Sequence, residues 1–342
     1  MSDAWLTGRA RELLAQIQVS PPERQPSYIP RFDELLIEGR NRDEPWMLGK
    51  LLRFSAIARL TTPSTAAIAD PMIDELLTHS RRNGLLVLQA GAHALRGLRA
   101  LLASAEDTAL TEVAQALAML DERPEPDVLV DKRDWYRSLS ATLVDIALVL
   151  TRLGMYEDAE PVLSRANRAI AHGGGPHEIV VQLVNQVKLL LSWGLHLERI
   201  GDELGAAERF AAAAAVVATV ERPYAESLFT RDAGRSAVAQ VPELAAAVAL
   251  ARPDGAYVEN LSAMLTQAAE PSYLIVMTVA LARCLECEGR EREALSVLID
   301  TRDRLADDRT ERTLRLALSR EYARLCGPEA SDQTTNALEL YV

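Results

Sequence analysis

Residues 143–166 read LVDIALVLTRLGMYEDAEPVLSRA, and the stretches LLSWGLHLERIGDELGAAERFAAA at 190–213 and TVALARCLECEGREREALSVLIDT at 278–301 repeat the same pattern. Apolar or small residues at i, i+3, i+4 and i+7 mark one helix face in each. They are Leu143, Ile146, Ala147 and Leu150; Leu190, Trp193, Gly194 and Leu197; and Thr278, Leu281, Ala282 and Leu285. A glycine (Gly154, Gly201, Gly289) then stops the helix, and a small residue five positions later (Ala159, Ala206, Ala294) opens a second one. The spacing predicts a helix–turn–helix unit. Small side chains at Ala147, Gly194 and Ala282, and again at Ala159, Ala206 and Ala294, let the two helices approach closely, while Leu163, Phe210 and Leu298 fill the space between units. A weaker copy has Gly97 at the close-contact position, followed by Ala109, Val113 and Ala116. From Ala109 to Ala159, Ala206 and Ala294 the steps are 50, 47 and 88 residues, so a degenerate unit is expected between Leu228 and Leu265.

The composition agrees. A hydrophobic content of 49% with only 5% aromatics, and the alanine-rich run from Ala211, favour packed helices over sheet, so the fold class is read as all-α. The length of 342 residues would suggest two globular domains, but an array whose units bury themselves against neighbours is one continuous alternative. A net charge of −12 argues against nucleic acid as partner. Lys50, Lys132 and Lys188 are the only lysines, so the positive charge is nearly all arginine, suited to recognising carboxylates or phosphates; ordinary surface ion pairs are the plainer reading of any one of them. Three cysteines give no disulfide framework, the N-terminus lacks the apolar core of a secretory signal, and no apolar run approaches the ~18 residues that cross a bilayer. A cytoplasmic protein with no membrane contact is expected.

Along the chain, helices are expected from Ala4 to Gln18 with Ser2 or Asp3 as cap, from Pro30 to Leu36, from Pro45 to Arg59, from Asp70 to Arg82 and from Leu85 to Ser104. The Thr61–Thr65 cluster is expected to cap the helix that follows it. Irregular connections are expected at Arg231–Pro242 and Arg252–Gly255, then a helix from Arg312 to Leu325 and an unfinished one from Gln333 to Val342. Because that last helix ends apolar, the chain is expected to continue or to pack this end against a partner.

Leu153, Gly154, Tyr156 and Ala159, with the Trp193-Gly194 pair and Phe210, resemble tetratricopeptide repeats. The resemblance implies a right-handed α-solenoid of antiparallel hairpins: residues 1–60 would cap an array spanning 61–342. A second resemblance covers nearly the whole chain. The stretch PPERQPSYIPRFDELLIEGRNRDEPWMLGKLLRFSAIARL, GGPHEI at 174–179, LARCLECEGREREALSVL at 281–298 and SREYARLCGPE at 319–329 are similar to the N-terminal helical-repeat region of actinobacterial GGDEF-type diguanylate cyclases. In that family such a region precedes a connecting helix and the cyclase domain. This chain has no GGDEF or GGEEF loop, so no catalytic residue carries over. The resemblance implies a sensory or regulatory part, with no cofactor, a protein or peptide partner, and a homodimer as one route to signalling.

The remaining chemistry is sparse. Cys284 and Cys287 have the spacing of half a zinc site, but no second pair follows, and a packed or partly exposed thiol pair is the plainer reading. The HGGGPH stretch at 172–177 follows no strand pattern and has no Lys-Ser/Thr, so it reads as an inter-repeat turn rather than a phosphate loop. No HExxH or GxSxG occurs, and Glu106 with Asp107 reads as an ordinary helix start. In tetratricopeptide arrays the first helix of each hairpin lines a concave groove. Transferred here, the lining is Val144, Leu148, Thr151 and Arg152; Lys188, Leu191, Leu195, Glu198 and Arg199; and Val279, Arg283, Glu286 and Cys287. An apolar floor beside Arg152, Lys188, Arg199 and Arg283 would suit an acidic peptide; a solvated face laced with salt bridges is the alternative. The expected function is a non-catalytic peptide- or protein-binding module controlling a cyclase. A helical-repeat region of a transcriptional or peptide-responsive regulator without enzymatic output is the second reading.

Overall fold

The computed structural model describes residues 3–20, 24–122, 130–227, 236–267, 271–305 and 312–326, and every regular element among them is helical. In order they are α1 (Asp3–Val19), α2 (Ile29–Arg40), α3 (Pro45–Thr61), α4 (Asp70–Arg82), α5 (Leu86–Leu102), α6 (Glu106–Glu122), α7 (Lys132–Arg152), α8 (Tyr156–Ala171), α9 (Pro176–Arg199), α10 (Glu203–Val217), α11 (Glu221–Ala225), α12 (Pro242–Ala251), α13 (Val258–Gln267), α14 (Pro271–Cys287), α15 (Glu291–Arg304) and α16 (Arg312–Cys326). Short 3₁₀ turns lie at Gln25–Tyr28, Pro63–Ile68 and Gly255–Tyr257. The chain divides into two compact units: α1 to α8 with α9 up to Gln182, and α9 from Leu183 with α10 to α16. Residue 60 falls inside the first unit, where α3 packs on α1, α2, α4 and α5.

The repeated pattern folds into hairpins. Helix α5 packs on α6, α7 on α8 and α14 on α15. One turn joins the paired helices in each case: the N–H two residues past the helix cap donates to a carbonyl five residues back, Met155 to Leu150, Asp202 to Leu197 and Arg290 to Leu285, each at 2.9 Å. This closure needs a left-handed residue, supplied by Gly154, Gly201 and Gly289 at φ of 75°, 88° and 72°. In the weaker copy, Ala105 makes the same bond to Ala100 at 2.9 Å. There Ser104 takes the left-handed position at φ 58°, which explains why the glycine signal is missing from that copy.

Close approach is real at the small positions. A Cβ on Gly194 would sit 2.5 Å from Cε1 of Phe210, and one on Gly97 would sit 3.4 Å from the carbonyl oxygen of Ala109. Since Phe210 is buried and cannot swing into solvent, Gly194→Ala is expected to lower stability by ~1–3 kcal/mol, read as a drop in the urea midpoint. At Thr278 and Thr301, which stand where the other copies have Leu143 with Ala166 and Leu190 with Ala213, the two buried hydroxyls share a hydrogen bond of 2.8 Å. Each satisfies the other, so the polar pair fits inside an otherwise apolar seam.

Some boundaries move. Helix α2 continues past Leu36 to Arg40, because Phe32, Leu35, Leu36 and Gly39 share one buried stripe. The Thr61–Thr65 cluster closes α3 instead of capping α4: the Thr65 hydroxyl donates to the carbonyls of Arg59 and Thr62, both at 3.1 Å, and no side chain caps α4. Between residues 228 and 265 the described part holds α12 and α13, ten residues each, with α12 packed on both α10 and α14. The break at Arg252–Gly255 separates them, and the Asp254 carboxylate accepts from the Ala256 N–H at 2.9 Å. Ser2, Arg231–Arg235 and the expected helix 333–342 lie outside the described residues.

Candidate functional site

The expected groove residues are largely engaged with one another. In the second unit Leu191 and Leu195 are only 1% and 3% exposed, and Val279 is fully buried, so they form core rather than the floor of an open trough. Lys188 of α9 pairs with the buried Glu243 of α12 at 3.1 Å. Arg283 of α14 grips Glu198 of α9 through two parallel bonds of 3.0 and 2.7 Å, and holds Glu321 of α16 at 3.2 and 3.1 Å. Arg324 of α16 extends the chain, donating to Glu321 at 2.7 Å and to Glu286 of α14 at 2.8 and 2.5 Å. Acid and base thus alternate from Glu198 through Arg283, Glu321 and Arg324 to Glu286.

Burial by itself would raise the Glu321 carboxyl. The charges and hydrogen bonds of Arg283 and Arg324 outweigh it and hold the group below the usual carboxylate range. For Arg283 burial acts first, to weaken the cation, and Glu321 with Glu198 more than restores it. Two of the four cations proposed to greet a ligand, Lys188 and Arg283, therefore already have carboxylate partners from other helices. These side chains flank the packing faces of their helices, where opposite charges carried by different helices meet. Arg199 differs, since it stays exposed and its guanidinium donates to Nδ1 of His196 at 3.2 Å.

The first unit shows the same logic in residues that periodicity did not single out. Helix α3 carries Lys50, Arg53 and Arg59, all buried. Lys50 pairs with Asp134 of α7 at 2.5 Å, and the Trp46 indole N–H donates to the same carboxylate at 2.8 Å. Arg53 pairs with Asp145 of α7, and Arg59 reaches Asp33 of α2 at 2.6 Å. Burial pushes the Asp145 carboxyl above its ordinary range even with Arg53 beside it. The available signal was three cations set in the otherwise apolar run from Met47 to Leu60. Val144 is buried, and Leu148, Thr151 and Arg152 are half-buried.

The glycine stretch is a turn, as its composition predicts. Glu178 reaches back to accept the Gly175 N–H at 3.0 Å at the start of α9, and Arg11 of α1 lies 3.3 Å from the same carboxylate. The anion at this helix start is therefore a side chain of the protein itself. Arg137 donates to the Gly173 carbonyl at 2.6 Å, and His177 is kept neutral, its pKa pushed down to about 4 by burial and, more weakly, by Arg11. Cys284 is buried while Cys287 is exposed, so the two thiols occupy different surroundings. Among the described residues no group of three or more His, Cys, Asp or Glu is placed to hold a metal, and no helix is long and apolar enough to cross a membrane.

Two large aliphatic side chains remain in water at the turn after α9: Ile200 is 60% and Leu204 75% exposed, next to the exposed Arg199. Compared with known proteins, the chain matches no family model and no curated sequence.

Proposed function

We propose that this chain is a non-catalytic, tetratricopeptide-like module that binds a protein or peptide partner and regulates a diguanylate cyclase output. The observation that carries the binding reading is the exposed Ile200 and Leu204 with Arg199 between α9 and α10. Aliphatic side chains left in water beside an arginine are the composition of a protein contact, where burial supplies affinity and the guanidinium supplies direction. The hairpin turn that presents them is closed by Gly201, so the patch sits on a rigid support. Support for the output comes from the sequence resemblance to the regulatory region of GGDEF-type cyclases.

Regulation requires that the partner bind two arrangements of the helices unequally. The chain of ion pairs from Glu198 to Glu286 offers a link, because α9, which leads into the patch, is tied through Arg283 to α14 and α16. In cells carrying the natural gene, the double substitution Ile200→Asp with Leu204→Asp is expected to change cyclic di-GMP by ~5-fold or more, the lower end of ordinary allosteric coupling. Both side chains are exposed, so the variant should keep wild-type helix content and abundance. Unchanged cyclic di-GMP at wild-type abundance would sink the reading.

A further inference from the structure

An open depression of about 350 Å³ lies in the first unit between α6, α7 and α8, N-terminal in sequence to the patch just described. Its floor is aliphatic: Leu120 of α6 and Leu143 of α7 are buried, and Leu139 of α7 is half-buried. One wall is aromatic. The rings of Tyr136 and His172 stack with centroids 4.8 Å apart and planes inclined by 30°. The rim is cationic in a chain whose net charge is −12. Arg165 of α8 is tied to Asp121 at 2.8 Å, whereas Arg168, one turn further along the same helix face, is exposed and has no acidic partner among the described residues.

We propose that this depression binds a small organic anion with a flat apolar body, of the aromatic carboxylate class. The volume suits a small molecule and is too small for a helix or a folded partner. A ring seated on Leu139 would meet the Tyr136–His172 pair, and a carboxylate at the rim would receive two parallel N–H bonds from Arg168. Arg168 supplies the positive charge and Arg165, already neutralised by Asp121, adds little. This inference does not rest on the regulatory reading, since it concerns other helices and a different ligand.

The test uses the full chain and two probes of one shape, naphthoate and the neutral naphthyl carbinol, titrated by calorimetry. Naphthoate is expected to bind once per chain and ~10-fold or more tighter than the carbinol, in line with the strength of charge-assisted bonds to guanidinium. Arg168→Glu should remove that preference, and Arg168→Lys should restore part of it. Because Arg168 is exposed, both variants should melt with the wild type, and Leu139→Asp should abolish binding of both probes. Absence of saturable naphthoate binding, equal affinity for the two probes, or a preference that survives Arg168→Glu would each overturn the proposal.

Discussion

Replacing Asp145 by alanine is expected to destabilise the first unit by ~3–5 kcal/mol, the cost of leaving a buried cation without its counterion. Arg53 is 8% exposed at its side chain and Asp145 14%, so water cannot take over the lost partner. The same physics predicts the opposite for the pair removed together. Burial raises the Asp145 carboxyl despite Arg53, and the buried Nε of Arg53 makes no hydrogen bond, so the pair repays its desolvation poorly. Arg53→Met combined with Asp145→Leu should therefore stay within ~1 kcal/mol of the parent or exceed it. Urea unfolding of the two single variants and the double variant gives the comparison. A single Asp145→Ala costing under ~1 kcal/mol would mean that the ion pair is not sealed from solvent.

The second unit should be acid-sensitive through Glu321, and Glu321→Gln should remove that sensitivity. Glu321 is 3% exposed and lies between two guanidinium groups that hold its carboxyl below the ordinary value. A depressed folded-state value means that the unfolded chain takes up the proton first as pH falls. The stabilisation is thus complete above about 4.5, the unfolded value, and is lost as pH falls through the lower folded value. At neutral pH the neutral amide leaves Arg283 with Glu198 alone, and the expected loss is ~2–4 kcal/mol, scaled for a charge-assisted network that is mostly buried. The parent should lose stability steeply from pH 5 to pH 3, and the variant should show a flatter slope over the same interval. Parallel slopes would place the acid response of this unit in carboxylates other than Glu321.

Much of the hairpin geometry was legible because it is local. Gly154, Gly201 and Gly289 announce their turns, since a left-handed residue in a closing turn is a property of five or six consecutive residues. Ser104 hides the fourth such turn, because a residue with a Cβ occupies the position that glycine usually marks. Helices α4 and α7 were also visible, the first between the Thr61–Thr65 cluster and Asn83-Gly84, the second from the repeat itself. The groove was legible only in part. Periodicity placed Lys188, Glu198, Arg283 and Glu286 on flanks of packing faces, yet it could not say what stands opposite a flank.

By itself the sequence determined an all-helical chain, the places where helices pair and the glycines and alanines that let them touch, because those follow from spacing within one or two turns of backbone. Only the tertiary structure decided which charges meet. Glu198 lies 85 residues from Arg283, and Asp145 lies 92 from Arg53. A charge has no periodicity that names its partner at such separations; the packing of distant helices chooses it. That choice set Arg283 between Glu198 and Glu321 and left Arg168, Arg199, Ile200 and Leu204 facing water.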